Sequence, residues 1–188
     1  MLIRQIDHSF ILLHLRELAH MHSVCFDESA MWHEHWADYP TPGREDSLSY
    51  LLDVAALDSY WVAAVDDDGE VLGESNRVLA CAIVERLGSE HAEELGIDIR
   101  GKERDVFYNV VYFHHLEASG LGLAHALIDR RIYIVKDLGG KELWTRTRKD
   151  HVNMDRILRG FGFDAMSEET VMQAGEPSVR VRYRKLLS

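Results

Sequence analysis

The sequence has few cysteines, few prolines and few basic side chains. Its 188 residues include only Cys25 and Cys81, which are too few for a disulfide framework and suit a reducing compartment. Three prolines and 13 glycines exclude collagen-like and low-complexity classes. No run approaches the roughly 18 apolar residues of a membrane span, and residues 1–8 are too broken by charge for a signal-peptide core. We therefore expect one cytoplasmic domain over residues 1–188.

Acidic residues outnumber basic ones, 32 to 21, for a formal net charge of −11. Residues 1–140 carry 11 basic and 25 acidic side chains, whereas residues 141–188 carry 10 and 7. A surface with this balance repels nucleic acids and anionic membranes, so neither is expected as a partner. The balance favours a cationic small molecule, and the basic C-terminal part is where an anionic ligand would bind.

Hydrophobic periodicity predicts a mixed α/β fold. Ile11, Leu15, Leu18, His22 and Cys25 repeat at the helical period and predict a buried stripe, and Arg44 to Leu57 predicts a second helix. Two further helices are predicted, one after Gly122 and one over residues 152–159. Strands are predicted over residues 2–6, 60–65, 78–87, 106–113, 143–147 and 179–186.

Two glycines follow the most hydrophobic predicted strand. Residues 117–122 read Glu-Ala-Ser-Gly-Leu-Gly and precede a helix, whose first N–H groups are unpaired and attract phosphate. A dinucleotide-binding turn fits less well, because His125 replaces its third glycine and Glu142 begins a strand rather than ending one. A nucleoside-triphosphate loop would need Gly-Lys-Ser/Thr, which does not follow. A plain tight turn is the remaining alternative.

These residues resemble the coenzyme A loop of the GCN5-related N-acetyltransferases (GNATs), which reads Arg/Gln-x-x-Gly-x-Gly/Ala. Glu117 occupies the first position of that pattern. A second GNAT landmark, a short helix followed by Gly-Phe, matches residues 151–163. The resemblance implies a GNAT-type α/β fold: a mixed, mainly antiparallel sheet flanked by helices, with a splayed parallel strand pair at the cofactor site.

The same resemblance implies an N-acetyltransferase that uses acetyl-CoA as cosubstrate. The acceptor would be a primary amine, small and cationic by the charge balance, attacking the thioester directly in a ternary complex. An alternative is a GNAT-fold acyl-CoA-binding sensor or interaction module without turnover. A homodimer is left open. The polar stretch over residues 88–105 is expected to be mobile and to border the acceptor entrance.

The resemblance also assigns cofactor contacts. The pyrophosphate would rest on the N–H groups of a turn, and the pantetheine arm would pair with strand backbone, where side-chain identity matters little. An N–H near Tyr112 would polarise the thioester carbonyl. The predicted cofactor residues are Val110, Val111, Tyr112, Ala118, Ser119, Gly120, Leu121, Gly122 and Leu123.

The catalytic base is not assigned by any motif. His115 and Glu85 are the candidates, each acting through water, with His114 and Tyr108 as further polar groups at strand ends. The alternative for each is an ordinary polar residue that ends a strand. At the position where many GNATs carry a tyrosine that protonates the leaving thiolate, this sequence has Leu158.

The histidine-rich and aromatic segments raise two further hypotheses. The pairs His20/His22 and His33/His35 lie two residues apart, which turns the rings away from each other on a helix, so no metal site is predicted. Trp32, Trp36 and Tyr39 line an acceptor pocket or simply pack. Five basic residues either contact coenzyme phosphates or form a solvated face: Arg146, Arg148, Lys149, Arg156 and Arg159.

Overall fold

The computed structural model describes residues 1–27, 44–66, 77–173 and 176–188. Their helices are α1 (His8–Asp27), α2 (Arg44–Ala56), α3 (Ser89–Glu94), α4 (Leu123–Asp137) and α5 (Val152–Gly160). The strands are β1 (Leu2–Ile6), β2 (Ser59–Val65), β3 (Val78–Arg86), β4 (Val106–His114), β5 (Glu142–Arg148), β6 (Asp164–Gln173) and β7 (Glu176–Leu186). Among these helices none is long and apolar enough to cross a bilayer.

The seven strands form one sheet in the order β1-β2-β3-β4-β5-β7-β6. Every neighbouring pair is antiparallel except β4 and β5, which are parallel. A parallel pair needs a crossover, and α4 supplies it on one face of the sheet. This arrangement confirms the predicted fold class, a mainly antiparallel sheet with one parallel pair.

Successive side chains of β2 and β3 point to opposite faces of the sheet. Trp61, Ala63 and Cys81 pack under α1 and α2, whereas Val62 and Ala82 pack under α4. Ile11, Leu18 and His22 of the predicted α1 stripe are buried, and Leu15 and Cys25 are partly buried. The buried residues of α1, spaced at the helical period, thus pack against strand residues spaced two apart.

The stretch over residues 88–105 is anchored to the sheet rather than free. It contains the short helix α3, and Ala92, Leu95, Ile97 and Ile99 are buried against β4. The guanidinium of Arg182 also donates to the carbonyl of Leu95. This packing does not support the predicted mobility, although one edge of the stretch does line a cleft.

The sequence analysis did not predict strand β6.

Candidate functional site

The parallel strands β4 and β5 separate after three residues. Their pairs are Val106↔Glu142, Phe107↔Leu143 and Tyr108↔Trp144, and no later pair follows among the described residues. Both strands continue, with β4 paired to β3 up to His114 and β5 paired to β7 up to Arg148. The backbone of β4 beyond Tyr108 therefore borders an open slot between two strands.

A bulge in β4 lies at the point of separation. Val111 pairs with Ile83 and Asn109 pairs with Val84, so Val110 is an extra residue in β4. A bulge bends its strand and increases the local twist, which turns β4 away from β5. Asn109 is buried there, and none of the described residues forms a hydrogen bond with its side-chain oxygen. The bulge therefore explains why the slot opens where it does.

A glycine turn closes the far end of the slot. Gly120 and Gly122 have φ angles of 83° and 74°, a left-handed conformation that other residues rarely adopt. Gly122 caps α4, and no side chain among the described residues caps it with a hydrogen bond, so the first N–H groups of the helix lack a side-chain partner. A Cβ at either glycine would meet nothing within 4 Å. The turn thus presents polarised N–H groups beside open space, where an anion can approach.

Glu117, the acidic residue at the first position of the turn, has a cationic partner. Arg77, just before β3, forms an ion pair with its carboxylate. Both side chains are more than half exposed. The GNAT resemblance places the negative charge of Glu117 near a phosphate, and Arg77 partly neutralises that charge.

The second part of the site is a cleft of about 670 Å³ on the face of the sheet opposite α4. Residues from α2, β3, α3, β4 and β5 line it, including Tyr50, Glu85, His91, Tyr108, Val110 and Arg146. Val110 and Arg146 come from the two strands that separate. The cleft and the slot are therefore continuous.

Glu85 and His91 form a hydrogen-bonded pair in this cleft. The Glu85 side chain is only 4% exposed, and its carboxylate accepts a hydrogen bond from Nδ1 of His91. This hydrogen bond does not involve Nε2, the other ring nitrogen of His91. The rings of His91 and Tyr108 meet edge to face with their centroids 5.3 Å apart. Burial raises the pKa of Tyr108 and of Tyr50, so both phenols keep their protons at neutral pH.

The two candidate bases from the sequence lie at opposite ends of β3. Glu85 is near the end of β3, whereas the backbone of His115 donates to the carbonyl of Leu79 near its start, at 3.0 Å. Six residues of strand separate these points, about 20 Å at ~3.3 Å per residue. Burial and the charge of Arg77 lower the pKa of His115. One thioester carbon cannot be within reach of both groups.

The predicted cofactor residues form one continuous path. Val110, Val111 and Tyr112 lie along the slot, and residues 118–123 form the glycine turn at its end. The ring of Tyr112 packs towards α4, on the face opposite the cleft, so only its backbone can contact a ligand in the slot. Ser119, Gly120 and Leu121 are exposed, and Ala118 and Leu123 are buried.

Several other predicted residues have structural partners. His22 is buried, bonds to Ser47 at 3.0 Å, and has its pKa lowered to about 3 by burial. His114 donates to the carbonyl of His115, and Leu158 is buried in the core. The basic residues mostly face acids, as in the pairs Arg146–Glu169, Arg148–Asp150, Lys149–Glu168 and Arg159–Asp155. Trp32, His33, His35, Trp36 and Tyr39 lie outside the described residues.

Comparison with known proteins identifies the fold. The sequence matches no protein-family model and no curated protein. Solved structures do match over the whole chain. A phosphinothricin acetyltransferase of the GNAT superfamily from Sinorhizobium meliloti, in complex with acetyl-CoA, has a TM-score of 0.72 at 14% identity, over 100% of this chain and 88% of that one. The ribosomal-protein-alanine N-acetyltransferase from Brucella melitensis has the same TM-score and identity over 100% of both chains.

A third structure agrees with these two. The N-acetyltransferase from Staphylococcus aureus Mu50 has a TM-score of 0.72 at 12% identity, over 100% of this chain and 98% of that one. The chain has the GNAT fold. The parallel pair, its separation after Tyr108 and the helix after the glycine turn thus belong to a GNAT sheet, and the resemblance read from the sequence is confirmed at the level of the fold.

The sequence analysis missed three residues of this site: Arg77, His91 and Asn109. His91 lies in a polar stretch with no motif around it, and only the fold brings it to Glu85. Asn109 was read as one more residue of a buried strand. A polar residue within a run of apolar strand residues was the available signal, because a bulge is a common reason for one.

Proposed function

We propose that the chain is an acetyl-CoA-dependent N-acetyltransferase that acetylates a small primary amine by direct attack in a ternary complex. One observation carries the proposal: the cleft that holds Glu85 and His91 opens into the slot between β4 and β5 at Val110 and Arg146. An acceptor in the cleft and a thioester in the slot would meet there. The acetyl-CoA bound in the Sinorhizobium meliloti structure of the same fold supports the choice of cosubstrate.

The coenzyme would bind mainly to backbone. Residues 118–123 offer N–H groups at the start of α4 to the pyrophosphate. The pantetheine amides would pair with β4 at Val110 to Tyr112, as an added strand does at an open sheet edge. An N–H of β4 near Tyr112 would donate to the thioester oxygen and stabilise the charge that develops on it.

Glu85 and His91 would act together as the base. The ammonium group of the acceptor must lose a proton before its lone pair can attack the carbonyl carbon. The carboxylate of Glu85 holds Nδ1–H of His91, so Nε2 can accept that proton directly or through water. Attack forms the C–N bond, the attacking nitrogen then releases its second proton to water, and collapse of the tetrahedral intermediate breaks the C–S bond.

The coenzyme thiolate that leaves must take up a proton. Leu158, at the position of the usual tyrosine, is buried and cannot supply it. Tyr108 lines the same cleft, at the point where β4 and β5 separate, and its phenol carries a proton at neutral pH, as tyrosine ordinarily does. The phenol of Tyr108 is therefore our proposed proton donor.

The buried Leu158 also favours the second candidate function, an acyl-CoA-binding sensor without turnover. Release of the coenzyme thiol from acetyl-CoA, measured with a broad panel of primary amines, separates the two functions. Amine-dependent thiol release, with the acetylated amine identified by mass, is the result expected for the enzyme. Tight coenzyme binding without thiol release for any amine would support the sensor and overturn the enzyme.

A further inference from the structure

An arginine row lies beside the cleft. We use this name for Arg146 and Arg148 of β5 with Arg180 and Arg182 of β7. Arg146 is directly opposite Arg182, and Arg148 is directly opposite Arg180. Residues that pair directly across a sheet point to the same face. These four guanidinium groups therefore share the face of the sheet that carries Tyr108 and the cleft.

Two members of this row, Arg146 and Arg182, compete for the same acidic partner. Arg146 and Arg182 share one carboxylate, that of Glu169, at 3.5 and 3.4 Å. Both distances are too long for strong charge-assisted hydrogen bonds, which lie near 2.7–2.9 Å. The Nε atom of Arg146 is buried and has no hydrogen-bond partner within the described part of the chain. Arg146 therefore keeps hydrogen-bonding capacity for an anionic group.

The wall of the cleft opposite Arg146 carries negatively charged side chains. Glu85 of β3 and two carboxylates of α3, Glu90 and Glu94, line it together with His91. Tyr108 separates this acidic wall from Arg146, because it pairs with Glu85 on one side and with Trp144 of β5 on the other. Arg86 also lines the cleft but pairs with Asp58. The cleft therefore has an acidic wall and, across Tyr108, the guanidinium of Arg146, with the opening to the slot beside them.

We propose that the acceptor is an amine that also carries a carboxylate, in other words an amino acid. Its ammonium group lies at the acidic wall within reach of His91, and its carboxylate binds the guanidinium of Arg146. This inference rests on the proposed N-acetyltransferase activity. It revises the purely cationic acceptor expected from the overall charge, because a pocket responds to the groups that line it rather than to the sum over residues 1–140.

Matched substrate pairs provide the test. Each amino acid is compared with the amine obtained by removing its carboxylate: lysine with cadaverine, histidine with histamine, and tyrosine with tyramine. The measurement is kcat/KM for coenzyme thiol release. We expect kcat/KM for the accepted amino acids to exceed that of their decarboxylated partners by about tenfold, because the shorter compound leaves the partly buried guanidinium of Arg146 with only its long contact to Glu169.

Variants of Arg146 locate the effect. Arg146→Gln should bring the ratio of each substrate pair close to one, mainly through KM, and Arg146→Lys should retain part of the preference. Arg100→Gln, an exposed arginine paired only with Asp98 in the described chain, changes the net charge equally and should leave the ratio unchanged. Thermal unfolding of each variant verifies its fold.

The outcomes separate this inference from the function on which it rests. Equal or faster turnover of the decarboxylated partners would overturn the amino-acid acceptor and leave the N-acetyltransferase intact. A preference that survives in Arg146→Gln would also overturn the role of Arg146. Absence of thiol release with every member of both sets would overturn the proposed function and the inference together.

Discussion

The two ends of the site, the glycine turn after β4 and the cleft at its bulge, are built in different ways. The turn is one continuous segment, residues 118–123, and it offers a ligand backbone N–H groups. The cleft takes side chains from α2, β3, α3, β4 and β5, and Glu85 meets His91 only through folding. In the proposed function, the coenzyme would thus need little side-chain chemistry, whereas the acceptor and the proton transfers would need specific side chains.

This contrast gives different expectations for mutations at the two ends. Changes at the cleft should reduce turnover with coenzyme affinity preserved. Changes at the turn should reduce coenzyme affinity whatever the acceptor. Four variants test the contrast, in order of decreasing effect.

Glu85→Gln should have the largest effect. The neutral amide cannot stabilise the positive charge that His91 acquires when it accepts a proton. We therefore expect kcat to fall about 100-fold, the lower end of the usual contribution of a general base. Affinity for acetyl-CoA should stay within about twofold. Steady-state thiol release and calorimetric titration measure the two quantities. A loss of coenzyme affinity as large as the loss of kcat would show that the two ends are not separate.

Gly122→Asp should weaken coenzyme binding by at least about tenfold, because the carboxylate would stand where a phosphate is expected to lie. The new residue must also adopt a φ of 74°, which strains any residue with a Cβ. Gly122→Ala carries the same strain without the charge and is the matched control. Equal affinities for the aspartate and alanine variants would mean that the phosphates bind elsewhere.

Arg77→Gln should have a smaller effect at the same end. Removing this partner exposes the charge of Glu117 near the expected pyrophosphate, and coenzyme affinity should fall about two- to threefold at low salt. The loss should disappear in the background Glu117→Gln, because no carboxylate is then left to neutralise. A loss of the same size in both backgrounds would instead indicate that Arg77 contacts the coenzyme directly.

His115→Gln should have the smallest effect. The side chain lies about 20 Å of strand away from Glu85, so kcat should stay within about twofold of the parent. Measured beside Glu85→Gln, this variant decides between the two bases that the sequence could not separate. A large drop in kcat for His115→Gln, with an intact fold, would move the reaction to the turn end of β4.

Most of the fold could be predicted because its elements carry strong periodicity. The buried strands β2, β3 and β4 are apolar runs, and α1 and α4 have clear stripes. Strand β6 could not be predicted, since Asp164–Gln173 is a polar edge strand held by its ladder to β7. Helix α3 has only six residues, too few to show a period.

The glycine turn could be predicted as a candidate coenzyme site because its backbone conformation determines which residues it contains. A left-handed conformation demands glycine, and glycine is visible in the sequence. The pairing of Glu85 with His91 and the position of Arg146 beside the cleft depend on tertiary contacts between β3, α3, β5 and β7. No local sequence pattern encodes such contacts. The sequence analysis therefore named Glu85 as a candidate base but not its partner His91.

A crystal structure with bound coenzyme A tests the central claim most directly. The account predicts pantetheine between β4 and β5 along Val110 to Tyr112, pyrophosphate at the N–H groups of residues 118–123, and the thiol at the mouth of the cleft beside Tyr108. Coenzyme bound outside the slot, or with its thiol at the His115 end of β4, would contradict it.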